Sequence, residues 1–234
     1  MRLRASHRSR LPNSHVRCGI CQRSSNEPAG QRSRGQSLAE GATGIALLHI
    51  ERAYAGAGIW QSAHAWVTAA AADDAGLYAG APALAFVLHT ASADENARYE
   101  SALAALDPHV TALAHPRVDG GHARITRGEL PAFAEYDLLH GLTGIGAHLL
   151  QHAPGGDALG RILAYLVALT RPLRIDGEDL PGRRVSHDPQ VTTSSEFPGG
   201  HANLGIAHGI SGPLALLAQA LRRDVTVDGH RRNE

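Results

Sequence analysis

Beyond the first three dozen residues, apolar residues fall into blocks that glycine or proline separates. Some blocks alternate apolar and polar residues at helical spacing, which is typical of helices with one buried face. We predict outer helices at residues 61–72, 94–106 and 157–169. Other blocks are apolar on nearly every side, as expected of helices that lie inside a protein.

Each of the nearly all-apolar blocks opens with a similar short turn. The four openings are Gly41-Ala-Thr-Gly44, Gly80-Ala-Pro-Ala83, Gly141-Leu-Thr-Gly144 and Gly209-Ile-Ser-Gly212. Their first glycines are 39, 61 and 68 residues apart, so a solenoid of fixed period is disfavoured and helical hairpins with loops of different length are favoured. We therefore predict an all-α fold in which inner helices begin at these turns inside a ring of outer helices. Parallel inner helices would gather their opening turns at one cavity.

The segment 173–203 has no helical periodicity and contains several prolines and glycines. We predict a long loop there. Loops of this length in compact domains usually cover or bind something, so a lid or binding loop is the favoured interpretation, and an error of element assignment is the alternative.

Composition supports helices that pack closely. Hydrophobic residues make up 43% of the chain and aromatic residues only 4%, so the core must consist mainly of alanine and leucine. Alanine favours helix, whereas a β-rich protein would need more β-branched and aromatic residues.

The net charge of +0 conceals a basic N-terminal segment. Residues 1–35 contain eight arginines and one acid, a charge of +7, so the remaining residues carry −7. This segment has neither aromatic residues for stacking on bases nor an apolar helical face, so we predict a disordered tail, residues 36–234 as the folded domain, and no nucleic-acid partner. No apolar run is long enough to span a membrane, and no secretory signal is present, so a cytoplasmic location is expected.

The two cysteines, Cys18 and Cys21, both lie in the basic tail. Their spacing matches half of a zinc knuckle, with His7 and His15 as conceivable further ligands. Free thiols are the favoured interpretation, because a single C-x-x-C is a weak signal.

Two longer motifs carry a resemblance to a known family. They are Tyr136-Asp-Leu-Leu-His-Gly-Leu-Thr-Gly144 and Gly200-His-Ala-Asn-Leu-Gly-Ile-Ala-His-Gly-Ile-Ser-Gly-Pro-Leu214. With Gln36-Ser-Leu-Ala-Glu-Gly41 and Gly80-Ala-Pro-Ala-Leu-Ala-Phe86 before them, they resemble the motifs of LanC-like lanthionine cyclases in the family's order. The similarity extends to about Arg223.

The resemblance implies an α,α-toroid, here an incomplete ring, and an activity. Members of this family add a Cys thiol across a dehydroalanine or dehydrobutyrine in a lanthipeptide precursor, with a zinc ion that converts the thiol to the thiolate. The implied partners are a dehydrated precursor peptide and the dehydratase that prepares it. No cofactor-binding residues other than zinc ligands are implied.

Carried over by motif, the resemblance makes His208 the acid/base and Asp137 an electrostatic support for the site. Without the resemblance, His208 would more simply be a core histidine, and Asp137 a carboxylate favoured by a helix N-terminus. His201 and Asn203 either line the cavity or hold the loop, and the loop interpretation is favoured.

The sequence departs from the family at the zinc site. The family's ligands are two Cys and one His near the C-terminus, and no cysteine follows Cys21 here. We therefore expect a fragment or truncated frame without metal ligands of its own, and little cyclase activity from this chain alone. Two alternatives stay open: a peptide-binding half-toroid or inert remnant, and another toroid enzyme such as a glycosidase. A glycosidase would need a second carboxylate beside Asp137, for which Glu135 and Glu196 are candidates.

Overall fold

The computed structural model describes residues 37–70, 76–94 and 96–230. Within them the elements are α1 (Ala42–Tyr54), α2 (Trp60–Ala69), α3 (Ala81–Ala91), α4 (Glu100–Thr126), α5 (Phe133–Tyr136), α6 (Leu142–His152), α7 (Asp157–Leu169), β1 (Pro172–Ile175), β2 (Glu178–Pro181) and α8 (Ser211–Arg222). The prediction of a disordered basic tail and the two cysteines fall outside the described residues.

The helices form two layers. In the inner layer α1 packs on α3, α3 on α6, and α6 on α8. In the outer layer α2 covers α1, α4 covers α3 and α6, and α7 covers α6. The predicted all-α toroid is confirmed, and both end helices of its arc expose a leucine, Leu48 on α1 and Leu214 on α8.

The inner helices all begin at the same rim. Backbone hydrogen bonds join the segments that precede them: Leu38 N–H donates to Tyr78 O at 2.9 Å, and Tyr78 N–H donates to Leu139 O at 3.0 Å. Leu138 N–H then donates to Ala207 O at 3.0 Å. These bonds gather the four opening turns at one end of the toroid, as the sequence predicts.

The C-terminal ends of the inner helices also meet one another. The Tyr54 hydroxyl of α1 donates to Ala91 O at the end of α3 at 2.9 Å. At the end of α8, Arg223 Nη1 donates to Leu150 O in α6 at 3.0 Å. The inner helices are therefore parallel, with their positive dipole ends at one rim and their negative ends at the other.

The second glycine of three opening turns is required by a close approach of the backbone. A Cβ at each of these positions would overlap the carbonyl oxygen of the residue six positions earlier. The pairs are Gly44 with Leu38, Gly144 with Leu138, and Gly212 with Ile206. The repeated motif is thus explained by a chain that folds back over the first turn of α1, α6 and α8.

We expect Gly144→Ala to lower the free energy of unfolding by about 1–3 kcal/mol, because the methyl group would push against the backbone at Leu138. The matched control is Gly160→Ala in α7, where a Cβ would meet nothing within 4 Å. That change is expected to stabilise the protein by about 0.5–1 kcal/mol, since glycine is unfavourable inside a helix. Urea denaturation measures both effects, and equal shifts for the two variants would contradict the close approach.

Both predicted bounds of the second outer helix were wrong. Residues 94–106 were expected to form a helix ending before Pro108, but α4 begins at Glu100 and continues through Pro108 and Pro116 to Thr126. A proline inside a helix costs about 3 kcal/mol. Here a buried stripe at spacings of three and four continues across both prolines and offsets that cost: Leu103, Leu106, Val110, Ala114 and Val118.

The predicted long loop at 173–203 also needs correction, because it begins with a β-hairpin. β1 and β2 pair in antiparallel register, with Ile175 opposite Glu178. The turn residues Asp176 and Gly177 have φ of 51° and 87°, the left-handed values that a tight hairpin turn requires. Asp-Gly between short strands is a strong hairpin signal, and helical periodicity does not detect it.

The core consists largely of alanine and leucine, as the composition predicts. Tyr136 and Tyr165 are its largest fully buried side chains. Within the described part of the chain, every helix is too short or too polar to cross a membrane.

Candidate functional site

Asp137 lies between α5 and α6, at the rim where the inner helices begin. Its Oδ1 accepts hydrogen bonds from the backbone N–H groups of His140 at 2.7 Å and Gly141 at 2.8 Å. The side chain is only 1% exposed. These bonds fix the carboxylate near the positive end of α6 and leave Oδ2 for another partner.

That partner is His208. Its Nδ1 lies 2.7 Å from Asp137 Oδ2, across 71 residues of sequence. The imidazole is 41% exposed and stacks on the Phe133 ring at 5.5 Å between centroids. The two residues predicted from the motifs thus lie together at one rim. Because Nδ1 faces the carboxylate, Nε2 is the ring nitrogen that can exchange a proton with a bound substrate.

Phe133 is surrounded by histidines. Besides His208, it has edge-on contacts with His187 at 4.7 Å and with His201 at 5.4 Å between ring centroids. The Nε2 atoms of His187 and His201 are buried and have no hydrogen-bond partner among the described residues. Neither Phe133 nor His187 was predicted from the sequence. One signal was available, since the chain has only three phenylalanines and this one precedes the Tyr136 motif.

The loop after the hairpin places His201 and Asn203 beside the site. Val185 and His201 exchange two backbone hydrogen bonds, and His201 Nδ1 donates to His187 O at 2.8 Å. Asn203 Oδ1 accepts the N–H of Gly205 at 2.7 Å. Both side chains therefore make hydrogen bonds within the loop, as the favoured interpretation predicts.

An ion pair between Arg124 of α4 and Glu135 of α5 lies next to the site, and its two side chains are 7% and 20% exposed. Arg124 Nη2 donates to Glu135 Oε1 at 2.7 Å, Arg124 Nε also donates to this carboxylate at 3.0 Å, and the Tyr165 hydroxyl donates to the same carboxylate. Burial by itself would lower the pKa of Arg124, but the hydrogen bonds and charge of Glu135 raise it above its ordinary value. Glu135 therefore serves as the partner of Arg124, while Glu196 lies exposed on the loop.

Comparison with known proteins gives a consistent result. The family described as "Lanthionine synthetase C-like protein" matches residues 32–232. The nisin biosynthesis protein NisC of Lactococcus lactis subsp. lactis is 28% identical over 149 residues, which cover 62% of this chain and 33% of NisC. A solved structure named nisin cyclase superposes with a TM-score of 0.64 at 22% identity, over 87% of this chain and 50% of that chain. The chain therefore spans between a third and a half of the length of these two relatives. Since the family match extends over most of the sequence, the chain belongs to the lanthionine synthetase C-like family.

Proposed function

We propose that this chain carries the proton-transfer site of a lanthionine-forming peptide cyclase. Its substrate would be a dehydrated lanthipeptide precursor, delivered by the dehydratase that prepares it. The observation that supports this assignment is the hydrogen bond between Asp137 and His208 at the rim of the toroid. We assign the site to a toroid domain of residues 36–234, with residues 1–35 as a separate basic tail.

The proposed reaction adds a Cys thiol to a dehydroamino acid. The sulfur forms a bond to Cβ, and the electron pair of the Cα–Cβ double bond moves toward the neighbouring carbonyl to give an enolate. The thiol proton goes to a base, and Cα gains a proton, so nothing is lost from the peptide. Asp137 fixes His208 with Nδ1–H toward the carboxylate, so that Nε2 first accepts and then donates a proton. The carboxylate also stabilises the imidazolium formed between these steps.

The surface beside His208 suits an extended peptide. Leu204 is 66% exposed and Ile206 is 61% exposed, both within the segment that leads to His208. Large apolar side chains at the surface of a functional loop are typical of places where another chain binds. This feature supports a peptide substrate and also the non-enzymatic alternative, a toroid that binds the peptide without turnover.

The residues present do not fit the zinc site that the family resemblance implies. That site requires two cysteine thiolates and a histidine, and no cysteine occurs among residues 37–70, 76–94 and 96–230. We therefore assign no step to zinc in this chain. A free Cys thiol is only a few per cent ionised at pH 7, so the attack on a dehydroamino acid is expected to be slow with this chain alone.

The test separates thiol activation from proton transfer. A dehydrated peptide with one nucleophilic Cys is compared with the same peptide carrying selenocysteine, whose selenol is ionised at neutral pH without a metal. We expect the Cys peptide to close its ring near the rate seen without protein, because the described residues contain no cysteine that could hold a zinc ion beside His208. The selenocysteine peptide is expected to close about 10²–10⁴-fold faster with the chain than without it. Mass spectrometry and selenol loss report ring closure.

Each outcome discriminates between the candidate functions. If the selenocysteine peptide binds stoichiometrically but closes no faster than in buffer, the chain is a binding module and the catalytic proposal is wrong. If the Cys peptide closes rapidly, the conclusion that these residues lack thiol activation is wrong.

A further inference from the structure

A second cluster of ligating side chains lies at the opposite rim, where the inner helices end. It consists of His89 in the last turn of α3, Asp107 in the outer helix α4, and His148 near the end of α6. One ligating atom from each residue lies within 4.8 Å of those of the other two. At a rise of about 1.5 Å per residue, His148 is roughly 10 Å along α6 from the turn that follows Asp137.

The three side chains come from three different helices. His89 Nε2 lies 2.9 Å from one carboxylate oxygen of Asp107 and 3.1 Å from the other. The rings of His89 and His148 are 5.4 Å apart between centroids. None of these residues contributes to the proposed cyclase site, so the cluster needs a separate explanation.

His148 is the least satisfied member of the cluster. It is only 5% exposed, and its Nδ1 is buried without a hydrogen-bond partner in the described part of the chain. Leaving a buried polar atom unpaired costs about 1–3 kcal/mol. A ligand that accepts the lone pair of this ring would satisfy that atom.

The electrostatic setting favours a bound cation. The Asp107 carboxylate lies against His89 and brings a negative charge to the two imidazoles. The cluster also lies at the C-terminal ends of α3 and α6, where the helix dipoles are negative.

The donor set matches one class of metal ion. Two imidazole nitrogens and one carboxylate oxygen suit zinc and similar divalent transition metals, with bonds of about 2.0–2.2 Å. Such bonds place neighbouring donors about 3.3 Å apart in a tetrahedral site. His89 Nε2 lies 2.9 and 3.1 Å from the two Asp107 oxygens, slightly closer than that spacing, so the metal would replace this hydrogen bond. A ligating atom of His148 lies within 4.8 Å of those of both residues. His152, one helical turn beyond His148, stacks on His89 at 3.7 Å between ring centroids and shields this side of the cluster.

We propose that His89, Asp107 and His148 bind a divalent transition-metal ion that joins the ends of α3 and α6 to α4. Water would complete the coordination. This site differs from the cysteine-ligated zinc of the family in its ligands and lies at the opposite rim from His208.

The test is metal binding by the full-length chain carrying Cys18→Ser and Cys21→Ser, which removes the thiols of the tail as a competing site. Titration with Zn²⁺ by calorimetry, and with Co²⁺ by visible absorption, is expected to show one ion per chain. Loss of a residue that only orients a metal ligand weakens metal affinity about 10–100-fold. Loss of a ligand itself should cost at least as much. We therefore expect His89→Gln and Asp107→Asn to weaken binding at least about tenfold.

The matched control is Asp119→Asn, the same substitution on the same helix at a residue that pairs with Arg161. It is expected to leave the metal affinity unchanged. Zinc at about 100 times its dissociation constant is expected to raise Tm by about 5–10 °C, and this rise should vanish in Asp107→Asn but not in Asp119→Asn. The proposal is overturned if no saturable one-to-one binding occurs, or if Asp107→Asn and Asp119→Asn bind Zn²⁺ equally well. Asp107 and His89 are only partly buried, so replacing them leaves no cavity in the core. The test therefore does not require a substitution of the buried His148.

Discussion

Replacing His208 by alanine is expected to remove the rate increase that the chain gives to ring closure of the selenocysteine peptide, a loss of about 10²–10⁴-fold. The reason is geometric. Among the described residues, His208 is the one titratable side chain that is hydrogen-bonded to the Asp137 side chain. This bond uses Nδ1 of His208, so Nε2 points away from Asp137. The same substitution at His64, an exposed histidine of α2, is the control and should leave the rate unchanged.

The Asp137→Asn variant tests how the pair works. Asparagine can keep the carbonyl oxygen that accepts the N–H groups of His140 and Gly141, so the fold should survive. Its NH₂ group would then face His208 Nδ1, and the carboxylate charge that supports the imidazolium, the form that donates the proton to Cα, would be lost. We expect the rate to fall about 10²-fold or more while the free energy of unfolding changes by less than about 1 kcal/mol. Wild-type rates in both His208→Ala and Asp137→Asn would rule out the proposed roles.

Breaking the Arg124–Glu135 pair is expected to have the largest effect on stability. Arg124→Ala leaves the Glu135 carboxylate, which is only 20% exposed, with the Tyr165 hydroxyl as its one remaining side-chain hydrogen-bond donor among the described residues, at a cost of up to about 3–5 kcal/mol. A domain of this size is stabilised by about 5–15 kcal/mol, so the variant should lose a large share of its stability. Chemical denaturation followed by circular dichroism measures the change.

The double variant Arg124→Met/Glu135→Leu is the informative comparison. It removes both charges and keeps apolar volume, so we expect it to be more stable than Arg124→Ala alone. The exposed pair Arg127–Glu129 provides the control, because Arg127→Ala should cost less than about 1 kcal/mol. A destabilisation by Arg124→Ala no greater than by Arg127→Ala would show that the buried pair does not hold α4, α5 and α7 together.

The elements that sequence pattern predicted correctly are those with local signals. α7 begins at Asp157 and ends at Leu169 as expected, because an acidic first turn and a continuous amphipathic stripe coincide there. Three of the four inner helices begin at turns where a close backbone approach excludes any side chain at Gly44, Gly144 or Gly212. The hairpin was not predicted although its Asp-Gly turn is equally local, because helical periodicity carries no signal for a tight turn between short strands.

The local sequence pattern did not predict features that depend on contacts between distant parts of the chain. The two prolines of α4 predict a break, yet the helix continues because its buried stripe packs on α3, α6 and α7. The relation among Phe133, His187 and His201 could not be read from the sequence, since the loop that brings the two histidines together is ordered by the Val185–His201 pairing. The His89–Asp107–His148 cluster was equally hidden, because its members lie on three helices.

The sequence by itself determined the helical class, the starts of the inner helices and the two residues, Asp137 and His208, whose motifs mark the candidate site. These features depend on backbone conformation and short motifs, which act over a few residues. Only the tertiary structure decided that these two residues share a hydrogen bond and that Arg124 and Glu135 form an ion pair next to them. The same holds for the second set of ligating side chains at the opposite rim. Each of these depends on packing between elements that are distant in sequence, and no local pattern encodes such packing.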